Sequence, residues 1–228
     1  MFAITPAGVV AIGMARARST PAPRRRVRRT PDEARRLILD AAERTFARFM
    51  PAEVGLREVA EAAGVTHGLV THYFGTYDEL VAATLARRLD AARDQVLARL
   101  VSASFGPDEL PLIDALIELV HEPLTMRLLT WSLVSGRGGP PAVLGGARPG
   151  LTVVVDGIIA RITRLGHPAP PRARIEFATM AALAMALGFA IAGPALHTAL
   201  GADGAYDRAA VQAELKLMVR RYVDRRAP

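Results

Sequence analysis

Residues 56–80, LREVAEAAGVTHGLVTHYFGTYDEL, constrain the fold more than any other stretch of the chain. Apolar residues recur there at steps of three and four before a glycine, and this spacing gives a short first helix one apolar face. Gly64 stands where a helix end commonly needs a left-handed residue, and Thr66 can cap the next helix through its hydroxyl. Val70 and Phe74, four residues apart, would pack inward together. The segment therefore predicts two short helices joined by a tight turn.

The second of these helices leaves an unusual set of residues for its outer surface and margins. They are small, polar or aromatic apart from one leucine: His67, Gly68, Leu69, Thr71, His72 and Tyr73. The alternative is a helical hairpin inside an ordinary all-α core, but a core favours aliphatic side chains at such positions. A polar outer face on the second helix is typical of a helix-turn-helix, in which that helix lies in the DNA major groove.

Capping signals on both sides predict two further helices. Thr30-Pro31-Asp32-Glu33 is a capping box with proline at the first helical position, and Thr76-Tyr77-Asp78-Glu79 is a second capping box. The second box begins a helix that runs to about Leu100. The first begins a helix able to cover the two-helix unit with one apolar stripe: Leu37, Ile38, Ala41, Ala42, Thr45, Phe46 and Phe49.

The residues from Ala60 onward fit the pattern A-x-x-A-G-V-[ST]-x-G, followed by an aliphatic residue, two variable positions, an aromatic residue or His, and Phe. The matching residues are Ala60, Ala63, Gly64, Val65, Thr66, Gly68, Val70, Tyr73 and Phe74. With AAERTFARF before it and GTYDEL after it, the stretch from about Thr30 to Leu89 resembles the TetR family of bacterial transcriptional regulators. The resemblance implies an all-helical dimer whose N-terminal domain binds DNA and whose C-terminal domain binds a small ligand and dimerises.

We therefore predict an all-α fold in three parts. Residues 1–29 form a disordered basic arm, because they are rich in Pro and Arg and have no apolar period. Residues 30–80 form a three-helix, helix-turn-helix DNA-binding domain. Residues 81–228 form a helical ligand-binding and dimerisation domain.

The positive charge of the chain lies ahead of its first helix. The formal net charge is +7, but between Asp32 and Leu80 five basic residues stand against nine acidic ones, which leaves −4. The arm alone carries arginines that account for the whole excess: Arg16, Arg18, Arg24, Arg25, Arg26, Arg28 and Arg29. We expect these arginines to neutralise phosphates or to lie in a minor groove. A solvated tail of no consequence is the alternative.

The expected DNA contacts fall into three groups. Leu69 and Thr71 suit thymine methyl groups, and His67 and His72 suit base edges or phosphates. Phosphates are the expected partners of the others, on the helices or in the arm: Arg57, Thr66, Tyr73, Tyr77, Arg25, Arg26, Arg28 and Arg29. The family often has Thr or Ser where Gly55 stands, Tyr where Thr71 stands and Lys where Tyr77 stands. Thr71 and Tyr77 keep hydroxyl groups, but the charge is lost.

Apolar periodicity predicts further helices beyond the break at SFGPDELP. LIDALIELVHEP is helical until Pro123, LTMRLLTWSLVSG forms the next helix, and Arg137–Gly150 is a Pro- and Gly-rich loop. The segment that follows is ambiguous, because its β-branched run at residues 152–155 favours a strand. The spacing of Val154 and Ile158 favours a helix, and we predict a helix.

An uncharged run, Ala178–Leu196, is long enough to be considered as a transmembrane segment. It is mostly Ala and Gly, and Pro194 interrupts it, so we interpret it as a buried helix that lets a partner helix approach closely. We expect no membrane association. With RAAVQAELKLMVRRYVDRR it would form a two-helix unit, and the resemblance implies that this unit pairs with its copy in a homodimer.

A pocket for a small, largely apolar effector would use aromatic residues and methionines with few polar groups. The candidates are Met126, Leu129, Thr130, Trp131, Phe177, Met180, Met185 and Phe189, with His121 and Glu122 for polar specificity and Arg127 for an acidic ligand. Each of them alone fits ordinary core packing equally well.

Other classes of protein lack their signatures in this chain. Without cysteine there are no disulfides or thiolate zinc sites, and the five histidines are scattered. No nucleophile elbow, Walker loop or dinucleotide fingerprint occurs, so we expect no enzyme, metal or cofactor.

The apolar residues 1–13 precede the arginines, which is the wrong order for a signal peptide, and Met14 is an alternative start. We therefore expect a cytoplasmic protein.

Two hypotheses follow for the function. The first is a sequence-specific repressor that leaves a pseudo-palindromic operator on double-stranded DNA when a small effector binds. The alternative is a ligand-independent or architectural DNA-binding protein that relies on the arginine-rich arm. A footprint distinguishes them, because the first protects one sequence and the second binds uniformly.

Overall fold

The computed structural model describes residues 30–102, 110–136, 150–201 and 207–224, and all regular structure within them is helical. The helices are α1 (Pro31–Arg48), α2 (Leu56–Ala63), α3 (His67–Phe74), α4 (Tyr77–Val101), α5 (Pro111–His121), α6 (Pro123–Ser135), α7 (Thr152–Arg164), α8 (Arg172–Ala199) and α9 (Arg208–Asp224). The all-α prediction is confirmed. The arm at residues 1–29, most of the break at residues 103–109 and the loop at residues 137–149 lie outside the described residues.

Helix α1 begins where its capping box predicts. The Thr30 hydroxyl accepts a hydrogen bond from the Glu33 amide at 3.2 Å, and the Glu33 carboxylate accepts one from the Thr30 amide at 2.8 Å. The predicted apolar stripe is wrong at its last position, because α1 ends at Arg48 and Phe49 adopts an extended conformation. Phe49 is 44% exposed, and Leu39 is buried in the stripe.

The turn between α2 and α3 has the geometry that the glycine predicts. Gly64 adopts φ 64° and ψ 35°, a left-handed conformation that closes α2. The Thr66 hydroxyl then accepts a hydrogen bond from the Leu69 amide at 3.3 Å, which begins α3. Val70 and Phe74 are buried, as predicted, so the inner face of α3 is fixed against the helices beneath it.

We call α1–α3 the head and α5–α9 the body, and α4 extends from one to the other. The apolar core of the head does not end at the predicted domain boundary after residue 80. It continues through Leu85 of α4 and takes in Leu124, Leu128 and Leu129 of α6. Helix α6 follows α5 in sequence and joins the two parts, because its leucines pack in the core of the head and Met126 also packs against the core formed by α5, α8 and α9.

The body has its own core between α5, α8 and α9, with a smaller one between α4, α5 and α7. Residues 152–164 form a helix, as predicted, because the four-residue spacing of Val154 and Ile158 places both against the smaller core, and this outweighs the β propensity of the segment. Arg161 of α7 is also buried and donates to the carbonyl oxygens of Leu100 and Ser102 at 3.4 and 3.2 Å. It thereby caps the end of α4.

Helix α8 differs from its prediction in two ways. It continues through Pro194 to Ala199, although the proline removes one helical hydrogen-bond donor. It is also incompletely buried in one chain: Phe177, Met180 and Ile191 are 50%, 60% and 57% exposed. Within the described ranges, α8 is the one helix whose length and apolarity would allow it to cross a membrane, and this alone is weak evidence for a span.

Candidate nucleic-acid interface

The outward side of α3 is polar and carries no Lys, Arg, Asp or Glu. His67, Thr71 and His72 are exposed, and Leu69 is half-buried at the edge of this face. The Thr71 hydroxyl donates to the His67 carbonyl oxygen at 3.2 Å, so the hydroxyl oxygen keeps its capacity to accept. This surface offers hydrogen-bonding groups and one aliphatic contact but no Lys or Arg, which suits base edges better than phosphates.

Contacts from α1 hold α3 at its far end. Arg35 donates to the carbonyl oxygen of Tyr73 at 3.2 Å, and its guanidinium lies over the ring of Phe74 at 4.5 Å. Tyr73 is half-buried, and its ring meets that of His72 edge-on at 5.2 Å. Nothing near Arg35 in the sequence indicates this role, because its partners lie almost forty positions further along the chain.

The start of α2 is capped without a Thr or Ser side chain. The Gly55 amide donates to the Glu58 carboxylate at 2.9 Å. Hydrogen bonds from the backbone amides of Glu58 and Gly55 lower the pKa of the Glu58 carboxyl. Arg57 lies beside this cap on the surface, where it pairs with Glu61 at 3.2 Å. Such an exposed pair is weak, so Arg57 can exchange Glu61 for a phosphate.

Tyr77 points inward, which argues against the predicted contact between its hydroxyl and a phosphate. The hydroxyl donates to the carbonyl oxygen of Pro51 at 2.6 Å. The ring packs edge-on against Phe46 at 6.1 Å and against Trp131 at 6.2 Å. Burial raises the pKa of the Tyr77 phenol above its ordinary value, so the group stays a neutral donor. Its role in this structure is to join the head to α4 and α6.

We expect Tyr77→Phe to lower the free energy of unfolding by about 1–2 kcal/mol, because the Pro51 carbonyl loses its buried donor. Affinity for DNA should not change. Thr71→Ala is the counterpart on the exposed face, and it should weaken DNA binding while unfolding stays within about 0.5 kcal/mol. Urea unfolding and DNA titration of both variants test the assignment. Weaker DNA binding by Tyr77→Phe at unchanged stability would contradict it.

The candidate ligand residues do not meet in one pocket. His121 is exposed at the end of α5, with Nδ1 2.7 Å from the Ile117 carbonyl oxygen. Trp131 packs against the core of the head, Met126 packs between that core and the core of α5, α8 and α9, and Thr130 is half-buried on the same helix. Phe177, Met180 and Phe189 lie on α8 and are 40–60% exposed. The predicted set therefore combines three separate places in the fold.

Arg127, predicted to pair with an acidic ligand, has other partners. It donates to the carbonyl oxygens of Phe46 and Ala47 at 2.7 and 3.1 Å, at the end of α1. These carbonyl groups have no helical partners, so they engage the guanidinium that an acidic ligand would need. Glu122, a candidate for polar specificity, caps α6 through the Thr125 amide at 2.6 Å. Arg127 therefore connects α6 to the end of α1, and Glu122 begins α6 and pairs with Arg88 of α4 at 2.7 Å.

An apolar cavity of about 230 Å³ lies between α8 and α9 in the described part of the chain. It is lined by Phe177, Ala178, Ala181, Met185, Met218, Val219 and Tyr222. Of the candidate ligand residues, only Phe177 and Met185 line it. Three of its lining residues are among the exposed apolar side chains of these helices, so the cavity opens at their outward face.

Two short, capped helices joined by a tight turn, with a polar face exposed on the second, have the arrangement of a helix-turn-helix DNA-binding protein. Residues 38–84 match the sequence model of the bacterial regulatory proteins of the tetR family. The HTH-type transcriptional regulator BetI of Burkholderia thailandensis is 30% identical over 170 residues, which cover 62% of this chain and 87% of BetI. An HTH-type transcriptional repressor of Mycobacterium tuberculosis is 28% identical over 180 residues, which cover 79% of this chain and 84% of the repressor.

The fold is also found in solved structures. The fatty acid degradation regulator FadR of Bacillus halodurans superposes with a TM-score of 0.56 at 15% identity, over 84% of this chain and 95% of that chain. The chain belongs to the TetR family. It is a DNA-binding transcriptional regulator and not an enzyme.

Proposed function

We propose that the protein is a cytoplasmic repressor that binds a pseudo-palindromic operator as a homodimer and leaves it when a small, largely apolar effector binds the body. The observation that carries this proposal is the rigid, capped helix-turn-helix with an uncharged outward face on α3. The name of the mycobacterial relative supports repression over activation.

The groups on α3 determine how a base sequence would be read. Leu69 and the methyl group of Thr71 can contact thymine methyl groups, and His67 and His72 can exchange hydrogen bonds with base edges. Arg57, Thr66 and Tyr73 flank this surface and would contact phosphates. Because α3 has no Lys or Arg, the usual bidentate contact to guanine is not available from it. We therefore expect A·T pairs at the positions that α3 reads.

The exposed apolar face of α8 and α9 supports the homodimer. Its large side chains are exposed by 38–60% in one chain: Phe177, Met180, Ile191, Met218 and Tyr222. Contiguous apolar surface of this kind marks an interaction site on a soluble protein. Two copies of the same face related by a twofold axis would bury it in a four-helix arrangement. That axis would also set two α3 helices against successive major grooves.

Selection of bound DNA from a random pool tests this function directly. We expect two inverted half-sites about 34 Å apart, with A·T pairs at the base positions that α3 reads. Leu69→Ala and Thr71→Ala should each relax the preference at one base position within the half-site. A thermal shift on screening small apolar molecules tests for the effector.

The same selection addresses the alternative, a ligand-independent or architectural DNA-binding protein that relies on its arm. That protein would enrich no sequence and give a uniform footprint. The acidic balance of residues 32–80 is the observation in its favour, because it leaves the arm as the main source of positive charge.

A further inference from the structure

The end of α1 is held by a residue of the body. Nη1 of Arg127 lies 2.7 Å from the Phe46 carbonyl oxygen, 3.1 Å from that of Ala47 and 3.5 Å from that of Phe49. The last carbonyl groups of a helix have no helical partners and carry the negative end of its dipole. One cation from α6 therefore satisfies the end of a helix in the head, some eighty residues away in the sequence.

Charged side chains connect α1, α4 and α6 next to Arg127. Arg87 and Arg88 of α4 both pair with Glu43 of α1, at 2.7 and 3.4 Å. Arg88 also pairs with Glu122 at the start of α6, at 2.7 Å, and donates to the Thr125 hydroxyl at 2.7 Å. Thr125 is buried and Arg88 is partly buried, so the solvent screens this network less than an exposed pair.

Apolar packing completes the junction. Leu124, Leu128 and Leu129 of α6 belong to the core of the head, and the ring of Trp131 meets that of Tyr77. A close-packed core does not stretch, so a displacement of α6 has to move the elements packed on it. Helix α6 can reach the head in two ways, through α4 and directly through the end of α1.

We propose that Arg127 is a positioning residue for DNA binding: it fixes the carboxyl end of α1 to α6 and so sets the orientation of the head on the body. A shift of α6 is then transmitted to the head through α1 as well as through α4. This inference rests on the proposed function in one respect, because it requires a dimer whose two heads read two half-sites.

Loss of a positioning residue and loss of a helix cap would have different effects on DNA binding. Loss of a cap lowers stability and weakens binding to every DNA in proportion. Loss of a positioning contact changes the separation of the two α3 helices, so the affinity changes most for the half-site spacing that the native protein prefers. The dependence of affinity on spacer length therefore separates the two roles.

The experiment measures the affinity of the full chain for a series of operators that differ only in the spacer between their half-sites. We expect Arg127→Ala to bind the best native operator roughly tenfold more weakly, with a flattened or shifted optimum of spacer length. Arg127→Lys keeps one charged donor and should restore the native optimum, within about threefold in affinity. Arg164→Ala removes the same charge from an exposed position on α7 and is the matched control, with the native profile.

Three results would overturn the inference. One is that Arg127→Ala binds the operators with native affinity and with the native optimum of spacer length. Another is an equal loss of affinity at all spacings together with a lower melting temperature, which would show a helix cap and nothing more. If Arg127→Ala does not fold, Arg127→Met decides the matter, because it keeps the length of the side chain and removes its donors: an altered spacer optimum supports the inference, and a loss equal at all spacings contradicts it. Failure of the native protein to prefer any spacing would instead count against the proposed dimer.

Discussion

Met180→Glu is expected to make the protein monomeric and to weaken its binding to the full operator by roughly 100-fold. Met180 lies on the outward side of α8 and is 60% exposed in one chain, so the substitution leaves the monomer fold intact. In the proposed dimer the same position is buried against the partner, where an unpaired carboxylate is costly. A monomer also loses the simultaneous contact with two half-sites, which alone changes affinity by about 100-fold or more.

The matched control for Met180→Glu is Val134→Glu. Val134 is 82% exposed near the end of α6, outside the α8 and α9 face, so this variant adds the same charge to an exposed apolar position. We expect it to remain dimeric and to bind the operator normally. Sedimentation and DNA titration of both variants are the measurements. A dimeric Met180→Glu with native affinity would show that the partner does not cover this face.

The sequence predicted the local structure of the head because each feature depends on residues a few positions apart. The boxes Thr30–Glu33 and Thr76–Glu79 are confirmed, since an N-cap and its third following residue always face each other in a helix. The left-handed turn predicted at Gly64 is confirmed for a similar reason, because it depends on the backbone freedom of the glycine itself and on no distant partner. The helical spacing of apolar residues also predicted the helix at residues 152–164 correctly, although the β-branched composition of the segment favoured a strand.

Contacts between distant residues could not be predicted in the same way. Nothing near Arg127 in the sequence indicates that the end of α1 will be its partner, so its charge suggested a ligand instead. Tyr77 occupies a position where the family often has a residue that contacts phosphate, but only the fold shows its hydroxyl on Pro51. The continuity of the head core with α6 could not be predicted either, because it depends on packing between residues far apart in the sequence.

The candidate ligand residues lie in separate places for a different reason, and their role in binding a ligand stays a prediction. Phe177, Met180 and Phe189 were chosen for their apolar side chains, and apolarity is common to cores, pockets and subunit interfaces. Their exposure in the structure, 40–60%, identifies them as surface residues of α8. The composition of that helix predicted close approach of a partner, which is still the interpretation that its exposed face supports.

Removal of residues 1–29 is expected to weaken DNA binding at least roughly 100-fold at about 0.1 M salt. The arm contains seven arginines and no acidic residue, so residues 30–228 have no net charge. Residues 32–80, which include α3, are net negative. Each phosphate that the arm neutralises contributes about 0.9 to the slope of log K against log salt, and this part of the slope should disappear with the arm.

Two further variants separate charge from chain length. Replacing the seven arginines of the arm with glutamine keeps the length and should reproduce the shallow slope. Replacing them with lysine keeps the charge and should retain most of the native slope, because phosphate neutralisation depends on charge more than on guanidinium geometry. Every variant should select the same operator sequence, since the bases are read by α3 and not by the arm.

The slope and the selected sequence together decide what the arm does. An unchanged slope after truncation would show a tail without a role, and the acidic head would then have to bind DNA through Arg57 and the backbone amides at its helix ends. A changed operator sequence would mean that the arm reads bases, most directly from a minor groove. A shallower slope with the same operator is the expected outcome, because residues 32–80 are net negative and the arm supplies the positive charge, while the groups that would read the bases lie on α3.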